Sequence, residues 1–216
     1  MTELNALIKD IPIPHSMREL PISDRGFPIP WFVYIDSSGK EDFRVIGPRK
    51  FDIAVMKRMC WICGSPLGTL FAFPAGPMCV INRTSSEPPA HLDCAQYAVR
   101  ACPFLANPRM RRNDKEMPEG HVAPPGMILR NPGAIGIYVT RSYKPFRVDD
   151  SVLLQMGEPE RVYWYAEGRT ATRAEVDESI RTGLPALEAA CEDGGHEALD
   201  ALEEAIRIAQ PLLPVA

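Results

Sequence analysis

Two pairs of metal-ligating residues, Cys60/Cys63 and His91/Cys94, constrain this chain more than any other feature. Thiolate and imidazole are the ligands that zinc takes in a closed, tetrahedral, structural site. Cys60-Trp61-Ile62-Cys63 has the two-residue spacing of a knuckle, and Gly64 follows where such a turn commonly needs a permissive backbone. His91 and Cys94 stand three apart in the first turn of a predicted helix, so both fall on one helical face. The positive end of that helix also favours the thiolate of Cys94. The reading is one structural zinc ion held by Cys60, Cys63, His91 and Cys94. The plainer alternative is a set of buried core thiols, but two ligand pairs at this separation seldom arise by chance.

Three more cysteines, Cys79, Cys102 and Cys191, default to core packing. Cys79 stays open as a substitute ligand. Cys102 lies eleven residues beyond His91 on the same predicted helix. At 1.5 Å per residue that is roughly 16 Å, too far to share the ion.

Between the two pairs, Gly68 to Phe73 and Met78 to Asn82 are expected to form a hairpin around Pro74-Ala75-Gly76-Pro77. Knuckle, hairpin, then two ligands at a helix start resembles the treble-clef zinc fingers over about residues 60–103. The run CWICGSPLG…MCVINRTSSEPPAHLDCAQYAVRACPFL also resembles a family of uncharacterised bacterial and phage proteins, over most of the chain. That resemblance implies no known activity. HNH-type nucleases share the treble-clef scaffold and need a catalytic histidine before the helix. Here no histidine lies between Cys63 and His91. A zinc-dependent hydrolase or nuclease with His91 catalytic would need Cys79 as the fourth ligand. A redox role for Cys60/Cys63 is disfavoured, because such pairs open a helix after a strand, whereas this one ends a predicted helix.

The rest of the chain reads as α+β: a treble-clef zinc module with flanking β-hairpins and sheet, and C-terminal amphipathic helices. Pro12, Pro14, Pro21, Pro28 and Pro30 forbid helix and central strand, so residues 1–30 form an extended arm. Its apolar residues Ile11, Ile13, Leu20, Ile22 and Phe27 suit wrapping onto the body. Residues 31–106 hold a hairpin (Trp31 to Asp36, Asp42 to Ile46), a helix opened by Pro48, and the zinc module. Another helix is expected from Pro88 or Pro89 to Cys102, ended by Pro103. Residues 107–216 hold strands at Met127 to Arg130, Ile135 to Arg141, Val152 to Met156 and Arg161 to Ala166, then acidic helices. Thr172 and Glu175 form a capping box, and Gly183 is expected to close that helix before a short one from Leu184. Leu199, Leu202, Ile206 and Ala209 define the last amphipathic helix.

Charge is unevenly spread. Residues 1–148 hold 19 Lys and Arg against 13 Asp and Glu, while residues 149–216 hold 5 against 15. A modest basic excess is compatible with a polyanion partner, but a solvated acidic helical face explains it as well. Arg83, Arg109, Arg111 and Arg112 are candidate nucleic-acid or ligand contacts, with Trp61, Phe71 and Phe73 as stacking surfaces. Arg83 within Asn82-Arg83-Thr84-Ser85-Ser86 equally suits bracing of its neighbours. No apolar run is long enough to span a bilayer, and Met1 to Ile11 lacks the plan of a signal peptide. The expectation is a cytoplasmic, zinc-stabilised binding, adaptor or regulatory protein acting on a protein partner, with single-stranded or duplex nucleic acid as the alternative.

Overall fold

The computed structural model describes residues 3–115, 117, 129–148, 150–191 and 194–215. Its architecture is α+β. The proline-rich arm folds back on itself and onto the body. The Asn5 amide donates to the Gly26 carbonyl at 2.9 Å, and Ile22 bridges Pro28. Gly26 has φ +79°, and a Cβ there would lie 2.5 Å from the Asn5 nitrogen, so only glycine lets the strap close. Ile8 and Met17 are buried in the same core cluster as Cys60 and Cys94, with Ile11, Ile13, Leu20 and Phe27 packed against it.

Strands β1 (Val33–Ile35) and β2 (Glu41–Ile46) pair antiparallel. The Asp36 carboxylate closes their turn by accepting from the Ser38 and Lys40 amides. Helix α1 (Lys50–Lys57) follows. It starts later than Pro48 because Arg49, at φ +62°, ends a tight turn first. Then come β3 (Phe71–Ala75), α2 (Pro77–Ile81), β4 (Thr84–Ser85), α3 (Leu92–Ala101) and α4 (Pro103–Ala106). The remainder holds β5 (Ile135–Thr140), β6 (Tyr143–Val148), β7 (Ser151–Met156), β8 (Pro159–Ala166), β9 (Arg169–Thr170), α5 (Arg173–Cys191) and α6 (Gly195–Ala209). Two antiparallel sheets run in the orders β3-β5-β8-β9 and β4-β7-β6.

Strand β5 organises the core. All six of its residues are buried, and side chains alternate between faces. Ile135, Ile137 and Val139 point into the core that holds Cys60, Cys94 and α3. Tyr138 points into a second core with Phe73, Leu154, Trp164 and Val176. Gly136 is required here: a Cβ would sit 2.8 Å from Val80 of α2.

Several expectations are corrected. Met78 to Asn82 is not a strand. Pro77 opens α2, whose turns close with Val80 N–H to Gly76 O and Asn82 N–H to Met78 O. The partner of β3 is the distant β5, so the expected hairpin between the two ligand pairs is absent. Helix α3 starts at Leu92 rather than at Pro88 or Pro89, because Ala90 pairs with Ala72 in extended conformation. Pro103 ends α3 as expected and immediately opens α4. Gly183 does not close a helix: α5 runs through it and through Pro185. A Cβ on Gly183 would come 3.1 Å from Met78, so its smallness lets α5 pack on α2. The capping box is present, with Glu175 accepting from the Thr172 amide at 2.8 Å. Strand β6 was not anticipated. The expected strand at Met127 to Arg130 lies partly outside the described residues; Arg130 forms a single bridge with Arg111. Among the described residues, no helix is long and apolar enough to cross a membrane.

Candidate metal centre

The structure brings Cys60, Cys63, His91 and Cys94 together, with their ligand atoms all within 4.8 Å of one another. Such a cluster can hold one metal ion. Cys60 and Cys94 are fully buried. His91 Nδ1 lies 3.4 Å from Cys63 Sγ and 3.9 Å from Cys94 Sγ. Its other nitrogen, Nε2, is 3.1 Å from the Pro66 carbonyl oxygen. A carbonyl only accepts, so Nε2 carries the proton and Nδ1 keeps its lone pair facing the sulfurs.

Local backbone chemistry builds both halves. In the knuckle, Cys60 N–H donates to Ser65 O at 2.7 Å and Gly64 N–H donates to Cys60 O at 2.9 Å. Gly64 sits at φ +75°, where a Cβ would lie 2.5 Å from the Trp31 ring. Trp31 N–H donates to Ile62 O at 2.7 Å, and Trp61 N–H to Pro89 O at 3.0 Å. These bonds tie the knuckle to the arm on one side and to the segment leading into α3 on the other. His91 is the N-cap of α3, so its side chain and that of Cys94 in the first turn face the same way.

The Pro66 carbonyl holds the His91 ring. Asp93 accepts from the Cys94 amide at 2.8 Å. Ser16 of the arm places its hydroxyl 3.2 Å from Cys94 Sγ. Nothing local in the sequence ties Ser16 to Cys94, since they are 78 residues apart.

The electrostatics suit a cation. Cys60 Sγ accepts from the Cys63 amide at 3.5 Å and from the His91 amide at 3.4 Å. Hydrogen bonds from Cys60 and then Cys94 hold the Cys63 thiol far below its ordinary value. The same crowding, first by Cys60 and then by Cys63, pushes Cys94 up. Three sulfurs at this spacing cannot all carry charge without a shared counter-ion, which a divalent metal provides.

The remaining candidates lie elsewhere. Cys79 is in α2 and packs with the second core; burial first, then the charge of Glu87, pushes its thiol up to about 11. Cys102 is the C-cap of α3 and is also pushed up, mainly by burial. Neither joins the four-residue cluster. Arg83 is paired with Glu158 at 2.5 Å, and its carbonyl accepts from the Met156 amide at 2.7 Å. It thus braces β4 against β7. Arg112 lies 5.4 Å over the Phe104 ring, and its amide donates to Leu129 O. Arg109 and Arg111 are exposed.

Comparison with family models, with curated proteins and with solved structures finds no match.

Proposed function

We propose that this chain is a zinc-stabilised binding protein, an adaptor or regulator that acts through contacts with a protein partner. One observation carries the reading: four protein ligand atoms of the Cys3His type lie within 4.8 Å of one another, the number that a closed structural zinc site takes. A catalytic zinc keeps one position open for water or substrate, and here all four positions have a protein ligand. Two soft pairs and a fixed imidazole tautomer favour zinc over magnesium or calcium, which prefer oxygen. The treble-clef-like reading keeps the knuckle and the ligand-bearing helix but lacks the hairpin between them, since α2 stands where its second strand was expected. Cys79 lies in a different core from the cluster, which weakens the reading of His91 as a catalytic base. The pairing of Arg83 with Glu158 likewise weakens the nucleic-acid reading. Thiolate ligands suit a reducing compartment such as the cytoplasm.

Elemental mass spectrometry on purified protein tests this. One zinc per chain that survives mild chelation is the expected result. A metal lost readily together with a hydrolytic activity would overturn it.

A further inference from the structure

A cavity of about 820 Å3 lies between the arm, the β1–β2 hairpin, the knuckle and α3. Its size falls in the range of small-molecule sites, roughly 300–1,000 Å3. Aromatic walls come from Phe32, Tyr34, Trp61 and Phe104. Trp61 is held in place, stacked on Phe32 at 4.8 Å between ring centroids. Rings of this lining already receive cations from the chain itself. Arg25 lies 5.6 Å over Phe43, and Arg112 lies 5.4 Å over Phe104. An aromatic face attracts a cation through its quadrupole, more strongly where water is excluded.

Glu87 narrows the ligand. Its backbone is fixed by Ser85, whose hydroxyl donates to the Glu87 carbonyl at 2.8 Å and accepts from the Glu87 amide at 3.1 Å. Its side chain lines the cavity, and among the described residues no donor bonds its carboxyl. Trp61 Nε1 and Tyr97 Oη, in the same wall, are shut off from open space; the half-buried Glu87 oxygens are not among such atoms. Arg25 and Arg111 also line the cavity but are exposed, so solvent screens them. Burial pushes the Glu87 carboxyl up, and the charge of Arg112 opposes this without overcoming it. The carboxylate is thus short of positive charge around it, and a cation brought to it would stabilise its ionised form.

We infer that this cavity binds a primary amine with a flat aromatic body, its ammonium on the Glu87 carboxylate and its ring against the aromatic walls. The inference goes beyond the binding-protein reading and needs neither a protein partner nor a particular metal. Isothermal titration calorimetry on the whole purified chain compares three indoles of similar shape. Tryptamine ends in an ammonium, tryptophol in a hydroxyl and indole-3-propionate in a carboxylate. Expected results are one tryptamine site per chain, tryptophol weaker by about tenfold, and indole-3-propionate weaker still. Glu87→Gln keeps the shape and an accepting oxygen but removes the charge. It should weaken tryptamine about tenfold and leave tryptophol unchanged. Failure of tryptamine to bind, or equal affinity for ammonium and hydroxyl, would overturn the inference. So would tighter binding of the carboxylate, which would assign selection to the arginines, or an unchanged tryptamine affinity in Glu87→Gln. The three-probe comparison uses the unmodified chain, so it stands even if Glu87→Gln does not fold.

Discussion

The backbone amide of His91 points at the sulfur of Cys60, 3.4 Å away. The first residue of the knuckle is thereby joined to the start of α3 before any ion is considered. The same sulfur receives the Cys63 amide, and the Ser16 hydroxyl lies 3.2 Å from the sulfur of Cys94. Arm, knuckle and helix therefore meet at three sulfurs; a metal there would fasten the knuckle to α3, and the arm joins the same cluster through Ser16.

Removing one ligand should be costly. Cys60→Ser or Cys94→Ser is expected to destabilise by about 5 kcal/mol or more, since structural zinc contributes folding energy directly. For a chain of this size that corresponds to a fall in Tm of roughly 10–20 °C. Thermal denaturation with and without excess zinc measures it. A double variant as stable as the parent would remove the structural role.

Gly64 offers a test of the knuckle that leaves all four ligands in place. At φ +75° with Trp31 carbons 2.5 Å from a Cβ, alanine meets both backbone strain and a clash. Gly64→Ala should cost about 1–3 kcal/mol. Combining it with Trp31→Ala should recover the part due to the clash and leave the part due to φ. Equal losses in the single and double variants would show that only the backbone matters.

The capping box of α5 predicts a pH dependence. Arg169 first, then the Thr172 amide, holds the Glu175 carboxyl down to about 2, against an ordinary value of 4.5. A depressed folded value means that the contribution is full above the unfolded value. It is lost as pH falls from about 4.5 toward about 2. Glu175→Gln should therefore be less stable than the parent at neutral pH, and the gap should close on acidification. The carboxyl is partly exposed and its partner Arg169 more so, so the neutral-pH gap should stay near the value of an ordinary helix cap, about 1 kcal/mol. Urea unfolding at a series of pH values checks the trend, and a gap that widens in acid would contradict it.

What could be read from the sequence follows from how local each signal is. Cys60/Cys63 and His91/Cys94 were legible because ligand type and spacing are properties of a few residues, and the structure clusters them. The wrapping of the arm was legible from its prolines and apolar residues, and the capping box from Thr172 and Glu175. Met78 to Asn82 misled because a short apolar run after a proline is compatible with strand or helix alike. Pro77 opens the helix, and Gly136, whose missing side chain makes room for Val80, lets it pack on β5. Gly183 misled for a related reason: it reads locally as a helix stop, but its contact with Met78 is tertiary. Strand β6 gave no periodic signal, since its four central residues, Lys144 to Arg147, are all exposed. The Pro66 carbonyl and the Ser16 hydroxyl could not be found by spacing, because neither belongs to a pattern.

Four of the six cysteines separate into two groups that a single alkylation experiment can resolve. Cys79 packs partly buried against the second core and its thiol is pushed up to about 11, so at pH 8 only about one part in a thousand is thiolate. Iodoacetamide followed by peptide mass spectrometry should leave Cys79 unmodified in the folded protein. Cys60, Cys63 and Cys94 should also resist while a metal is bound, because coordination occupies the sulfur lone pairs. Chelation should then expose these three together and leave Cys79 untouched, since its protection comes from packing rather than from the ion. Exposure of Cys79 at the same chelator concentration would mean that metal loss unfolds both cores at once. That outcome would make the site a requirement of the whole fold rather than of the knuckle and α3 alone.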